Sequence, residues 1–137
     1  MKIYLDSDVY LAYFKSEKQA NRDIWTEQIF REILTNKNIQ LIFSYLTVLE
    51  ISKILGEPEN AVRALILLHC PAACEIAVTR EIRNKSKEFE KIGVHFPDSM
   101  HAAFAFYESA GFVTFNVKDY QNISGLKVIE PRFFFSV

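Results

Sequence analysis

The chain has 137 residues, 50% hydrophobic and 24% charged, with two cysteines and a formal net charge of -1. That composition excludes a disordered, collagenous or disulfide-stapled protein, and a chain of this length, read as one domain over 1–137, buries about two thirds of its unfolded surface without cross-links. The balanced charge gives no global positive field, so a polyanion has to be met by a local basic patch or a metal.

KIYLD, residues 2–6, is an apolar run that predicts a buried strand. Met1-Lys2 lead straight into it, with no signal-peptide pattern and no run of about 18 apolar residues anywhere, which predicts a cytoplasmic protein with no membrane partner. The run ends on Asp6, followed by Ser7 and Asp8. Ligands of open α/β sheets bind beyond the carboxyl ends of the strands, so Asp6 is a candidate site residue, with a turn residue or a cap as the alternative reading. Asp8, just before a helix, is predicted to be its N-cap.

A short helix near 8–14 follows, then a longer one near 18–35 with Ile24, Ile29, Ile33 and Leu34 as its apolar stripe. QLIFS, 40–44, predicts a second strand, and Ser44 caps the helix YLTVLEISKIL, which Gly56 and Pro58 end. Leu46, Glu50 and Ile54 share one face of that helix. An ionised Glu among apolar neighbours has to be paired with a Lys or Arg, bound to a metal, or protonated.

A helix over about 58–69 precedes HCPAAC, where Cys70 and Cys74 lack the second ligand pair of a zinc site and read as reduced core thiols. CEIAV, 74–78, predicts the third strand. Thr79 caps TREIRNKSKEFEK, a mixed-charge helix read as a solvated face carrying i,i+4 pairs, with phosphate contact as the alternative.

Pro97 suits the first turn of PDSMHAAFAFYESA, a helix expected to run to Gly111. Asp98 lies in that first turn, where the helix dipole favours an acid by about 0.3 to 1 kcal/mol. Ala102 and Ala105 lie beneath it, and Met100, Phe104 and Tyr107 form a separate apolar stripe. His101, three residues beyond Asp98 on the same helix, is near enough to be weighed as a site neighbour, and a structural role, capping or packing, is the favoured reading. FVTF, 112–115, predicts a fourth strand, and NVKDY then offers Asn116 and Asp119, which are also ordinary turn formers. LKVIE, 126–130, is the fifth strand, and the apolar tail PRFFFSV suits core packing, a dimer seam or a partner site.

Near-continuous apolar strands alternating with helices predict a parallel sheet covered on both faces, a three-layer α/β/α sandwich. Several acids at one sheet edge repel unless a cation neutralises them, and oxygen donors without supporting His or Cys select Mg²⁺ or Mn²⁺.

In "YLDSDV", "SYLTVLEISK", "FPDSMHAAFA" and "VTFNVKDY", in that order and over nearly the whole chain, the sequence resembles the PIN domain, specifically the small VapC-type ribonucleases of toxin-antitoxin pairs. The resemblance implies a five-stranded parallel sheet ordered 3-2-1-4-5 and metal-dependent hydrolysis of RNA phosphodiesters, leaving a 5'-phosphate and a 3'-hydroxyl. It implies that Asp6, Glu50 and Asp98 are catalytic metal ligands, with Ser7 holding a water or ligand. Many members carry an Asp where this chain has Asn116, whereas others retain a later acid, here Asp119, so the residue that completes the site stays open. A homodimer and a cognate antitoxin that inserts an Arg or Lys among the carboxylates are implied too. Two readings compete: a haloacid-dehalogenase-like phosphatase with Asp6 as nucleophile and Asp8 as general acid, and a catalytically silent PIN-like interaction module.

Overall fold

The computed structural model describes residues 1–15 and 20–136. Five strands, β1 (Lys2–Leu5), β2 (Gln40–Ser44), β3 (Cys74–Ile76), β4 (Gly111–Val113) and β5 (Val128–Ile129), form a parallel sheet ordered β3-β2-β1-β4-β5. The helices are α1 (Ser7–Phe14), α2 (Ala20–Thr35), α3 (Tyr45–Leu55), α4 (Glu59–His69), α5 (Arg80–Lys91) and α6 (Asp98–Tyr107), with 3-10 turns at Val117–Asp119 and Pro131–Ser136. This is the expected PIN-like architecture.

The strands alternate between two apolar layers, as the period of two requires. Ile3, Leu5, Leu41, Phe43 and Val113 pack with Val9 and Tyr10 of α1, Ile29 of α2, Val48 of α3 and Ile66 of α4. Tyr4, Ile42 and Phe112 face the other way, onto Ile82 of α5 and Ala102, Ala103 and Phe104 of α6. Both faces are therefore covered, and the parallel order brings Asp6, Ser44 and Thr114 to the same carboxyl edge.

The predicted caps of two helices are present. Ser44 Oγ accepts from Thr47 N at the start of α3, and Thr79 Oγ1 accepts from Ile82 N at the start of α5. Gly56 ends α3 in the left-handed region, at φ 69°, where a side chain would be strained.

Some expectations need correction. On α2 the buried positions among the described residues are Thr26, Ile29, Phe30 and Ile33, an i, i+3, i+4, i+7 stripe that leaves Ile24 and Leu34 exposed outside it. The third strand stops at Ile76, and Cys74, on this edge strand, is exposed rather than a core thiol. Cys70 is the core thiol, and burial pushes it up to about 12. Lys85 of α5 pairs with Glu88 at i,i+3 (2.9 Å) and its Nζ lies 4.6 Å from the Phe106 ring centre, where i,i+4 pairs were expected.

Helix α6 ends at Tyr107 rather than at Gly111, because Gly111 already belongs to β4, opposite Ile3. Ser109, at φ 52°, makes the reversal. Tyr107 is exposed, so the stripe expected through it does not form; α6 instead buries every residue from Ser99 to Ala105. In the tail, Phe134 enters the core and Phe133 and Phe135 stay half-exposed. Among the described residues no helix is long and apolar enough to cross a membrane.

Candidate metal centre

Strand β1 hands the chain to α1 at Asp6, whose N–H donates to Val113 O at 2.9 Å and locks it to the end of β4. The backbone there is extended, φ -63° and ψ 153°, and Oδ1 accepts from Ser7 N at 2.8 Å. Asp6, not Asp8, is thus the N-cap, because the helix starts directly at the strand's end. Its other oxygen, Oδ2, accepts from Thr114 Oγ1 at 2.8 Å, and the residue is only 7% exposed.

Asp8 lies inside the first turn of α1. Its Oδ2 accepts from Phe115 N and from Asn116 Nδ2, each at 3.2 Å, so Asp8 braces the loop after β4. Asn116 also donates its N–H to Thr114 Oγ1 at 3.0 Å. A carboxylate committed to that loop is a poor general acid for the phosphatase reading.

Helix α3 carries Glu50 between buried Leu46 and exposed Ile54, which puts its side chain at the rim, 26% exposed. Its Oε1 accepts from Ser7 Oγ at 2.9 Å and from His101 Nε2 at 2.6 Å. The hydrogen-bonded partner is therefore a histidine of α6, and not the Lys or Arg of the salt-bridge alternative. Among the described residues, no Lys or Arg forms an ion pair with Asp6, Glu50 or Asp98.

His101 is 1% exposed. Its Nδ1 lies 2.7 Å from Tyr4 OH, which in turn lies 2.7 Å from Ser44 Oγ and 3.2 Å from Thr47 Oγ1. His101 therefore lies beside the candidate site, as its place one turn after Asp98 allows, and its buried hydrogen bonds agree with the structural role read for it. Thr114 and Tyr4 were passed over because each sits within an apolar strand run.

One ligand atom from each of Asp6, Glu50 and His101 lies within 4.8 Å of the others. Asp98 is outside that group, half-buried at the start of α6. Asp119 is exposed at the end of its 3-10 turn, yet its charge and that of Asp6 both reach Asp98. Tyr120 OH is buried beside Asp98 without a hydrogen bond of ordinary geometry.

The electrostatics follow from burial and these contacts. Burial raises the Asp6 carboxyl above its ordinary pKa and the Glu50 charge adds to this, while His101, Thr114 and Ser7 oppose it. Asp98 is raised by burial and by the charges of Asp6 and Asp119, against the pull of Tyr120 and His101. Burial acts to raise Glu50 too, but His101 and Ser7 win and lower it. Burial opposes a charged His101, yet Glu50, Asp6 and Asp98 outweigh it and raise its pKa.

Asp6 and Asp98, pushed upward by burial and neighbouring negative charge, gain most from a cation, and with the ionised Glu50 they make a donor set that fits a divalent ion. The expectation of oxygen donors with no histidine nearby is corrected, since the His101 imidazole adjoins the two carboxylates.

No family model and no curated protein matches the chain. Solved structures do. VapBC2 from Rickettsia felis, bound to a DNA fragment from the promoter, is similar at 16% identity and TM-score 0.69, over 95% of this chain and 98% of that one. VapBC-1 from nontypeable Haemophilus influenzae is similar at 21% identity and TM-score 0.68, over 96% and 99%. A toxin-antitoxin complex from Klebsiella pneumoniae is similar at 20% identity and TM-score 0.67, over 94% and 97%. At these identities the likeness is one of fold.

Proposed function

We propose that this chain is a VapC-type PIN-domain endoribonuclease, the toxin of a toxin-antitoxin pair, cutting RNA phosphodiesters with Mg²⁺ or Mn²⁺. The observation that carries the reading is the convergence of Asp6 and Glu50, from β1 and α3, on one pocket with no Lys or Arg paired to either among the described residues. The full-length likeness to toxin-antitoxin complexes supports the choice of family.

Asp6, Glu50 and Asp98 hold the ion in this reading. What a bound ion supplies is a lowered pKa for water and compensation of charge on the phosphate oxygens. The chain's own residues do the rest. Ser7 and Thr114 fix both oxygens of Asp6, so that carboxylate meets the ion without reorganising. Glu50, kept ionised by His101 and Ser7, offers its carboxylate to the ion directly or through a bound water. Asp119 is taken as the acid that completes the site, a choice supported by the reach of its charge to Asp98 and by the bond of Asn116 to Asp8.

The same reading makes the protein a cytoplasmic single-domain homodimer whose cognate antitoxin places an Arg or Lys among these carboxylates. Such a cation replaces the metal's charge.

The test is purified protein on RNA with EDTA, Mg²⁺ or Mn²⁺, alongside Asp6→Asn and Asp98→Asn. Cleavage that needs the ion and both acids supports the reading. Cleavage unaffected by either substitution overturns it, as does a phosphorylated Asp6 with RNA left intact.

A further inference from the structure

We propose that Tyr4 and His101 are positioning residues, a buried hydrogen-bonded chain that fixes the Glu50 carboxylate toward the metal pocket. The inference rests on the reading of that pocket as a divalent-cation site.

Glu50 comes from α3 on a long side chain with a quarter of its surface in water, and such a side chain loses rotamer freedom when pinned. Two donors pin it, Ser7 Oγ and His101 Nε2, and both fall on Oε1. Oε2 is then the oxygen presented to a cation.

His101 can act in this way only if its ring is held. Tyr4 OH, 2.7 Å from Nδ1, holds it, and Ser44 Oγ and Thr47 Oγ1 hold Tyr4 in turn. The four residues come from β1, β2, α3 and α6, and none is more than 1% exposed. A carboxylate only accepts hydrogen bonds, so Nε2 is the donor to Glu50 whether the imidazole is neutral or charged. Only the direction of the bond between Tyr4 and Nδ1 changes, and the hydroxyls of Ser44 and Thr47 can rotate to suit either.

Four buried polar side chains cost more than apolar packing unless every bond is made, and the chain ends on a group of the pocket rather than in the core. Ligand-orienting partners of this kind alter metal affinity by about 10- to 100-fold when removed.

The experiment measures Mn²⁺ affinity, by calorimetry and by the electron paramagnetic resonance of the free ion. It compares wild type, Tyr4→Phe, His101→Leu and His101→Gln, whose amide N–H takes the place of Nε2–H. Tyr10→Phe is the control, because Tyr10 belongs to the other apolar layer of the sheet from Tyr4 and its hydroxyl is buried without a hydrogen-bond partner among the described residues. The expected result is binding weaker by about tenfold or more in Tyr4→Phe and His101→Leu, near wild type in His101→Gln, and unchanged in Tyr10→Phe.

Wild-type affinity in Tyr4→Phe overturns the inference. So does an equal loss in His101→Gln and His101→Leu, which would make the imidazole itself a ligand, and so does a wild type that binds no Mn²⁺. Because the readout is binding, a protein that binds Mn²⁺ through this chain but leaves RNA intact refutes the nuclease and not the positioning role; RNA cleavage with unaltered binding in Tyr4→Phe does the reverse.

Discussion

His101 Nε2 lies 2.6 Å from Glu50 Oε1, so one hydrogen bond ties α6 to α3 across the end of β1. Each partner shifts the other's titration, and the shifts run in opposite directions.

The first expectation is a pH window of stability in the metal-free protein. Despite burial, His101 is raised above 6.5 by Glu50, Asp6 and Asp98, and despite burial, Glu50 is lowered below 4.5 by His101 and Ser7. A raised histidine adds stability that is complete below its unfolded pKa and lost as pH rises through the folded one. A lowered carboxylate adds stability present above its unfolded pKa and lost as pH falls through the folded one. The pair therefore contributes fully between pH 4.5 and 6.5. In EDTA, the excess Tm of wild type over Glu50→Gln should peak in that window and shrink on both sides; a pH-independent excess contradicts the coupling.

The loop after β4 supplies a second expectation. Asp119 reaches Asp98 through its charge, whereas Asn116 is bonded to Asp8. Mn²⁺ titrations should show Asp119→Asn weakening binding by about tenfold and Asn116→Ala by less. The opposite order would assign the fourth position to Asn116.

Tyr10 predicts a gain from a deletion. Its hydroxyl is buried with no hydrogen-bond partner among the described residues, a state that costs about 1–3 kcal/mol. Urea unfolding of Tyr10→Phe should therefore show stability unchanged or raised by about 1 kcal/mol. A clear loss would mean the hydroxyl has a bonded partner.

Gly111 predicts a loss. A Cβ there would stand 2.9 Å from Ile129 Cδ1, between β1 and β5. The end of the Ile129 side chain can move for one methyl, so Gly111→Ala should be mild, whereas Gly111→Val should cost about 1–3 kcal/mol in urea unfolding. Equal stability of Gly111→Val and wild type would contradict this packing.

The fold was readable where local chemistry decides it. KIYLD and QLIFS are apolar runs of strand length, Ser44 and Thr79 are hydroxyl residues placed to cap the helices that follow them, and Gly56 supplies the positive φ that ends α3. The acids were readable because a charge in an apolar frame is conspicuous, as with Glu50. What orients them was not. Tyr4 and Thr114 look like ordinary members of buried strands, and their bonds to His101 and Asp6 span 97 and 108 residues, a relation no local pattern carries. The mistaken cap at Asp8 has a similar origin, since two acids one residue apart offer the same side chain and only the point where the strand stops chooses between them.

The account stands on a divalent cation held between Asp6 and Glu50. Crystals grown with Mn²⁺ and measured for its anomalous scattering test that most directly. The account predicts one strong peak bounded by the carboxylates of Asp6 and Glu50, with Asp98 facing it. A difference map empty in that pocket at saturating Mn²⁺, or a peak held only by other residues, would contradict it.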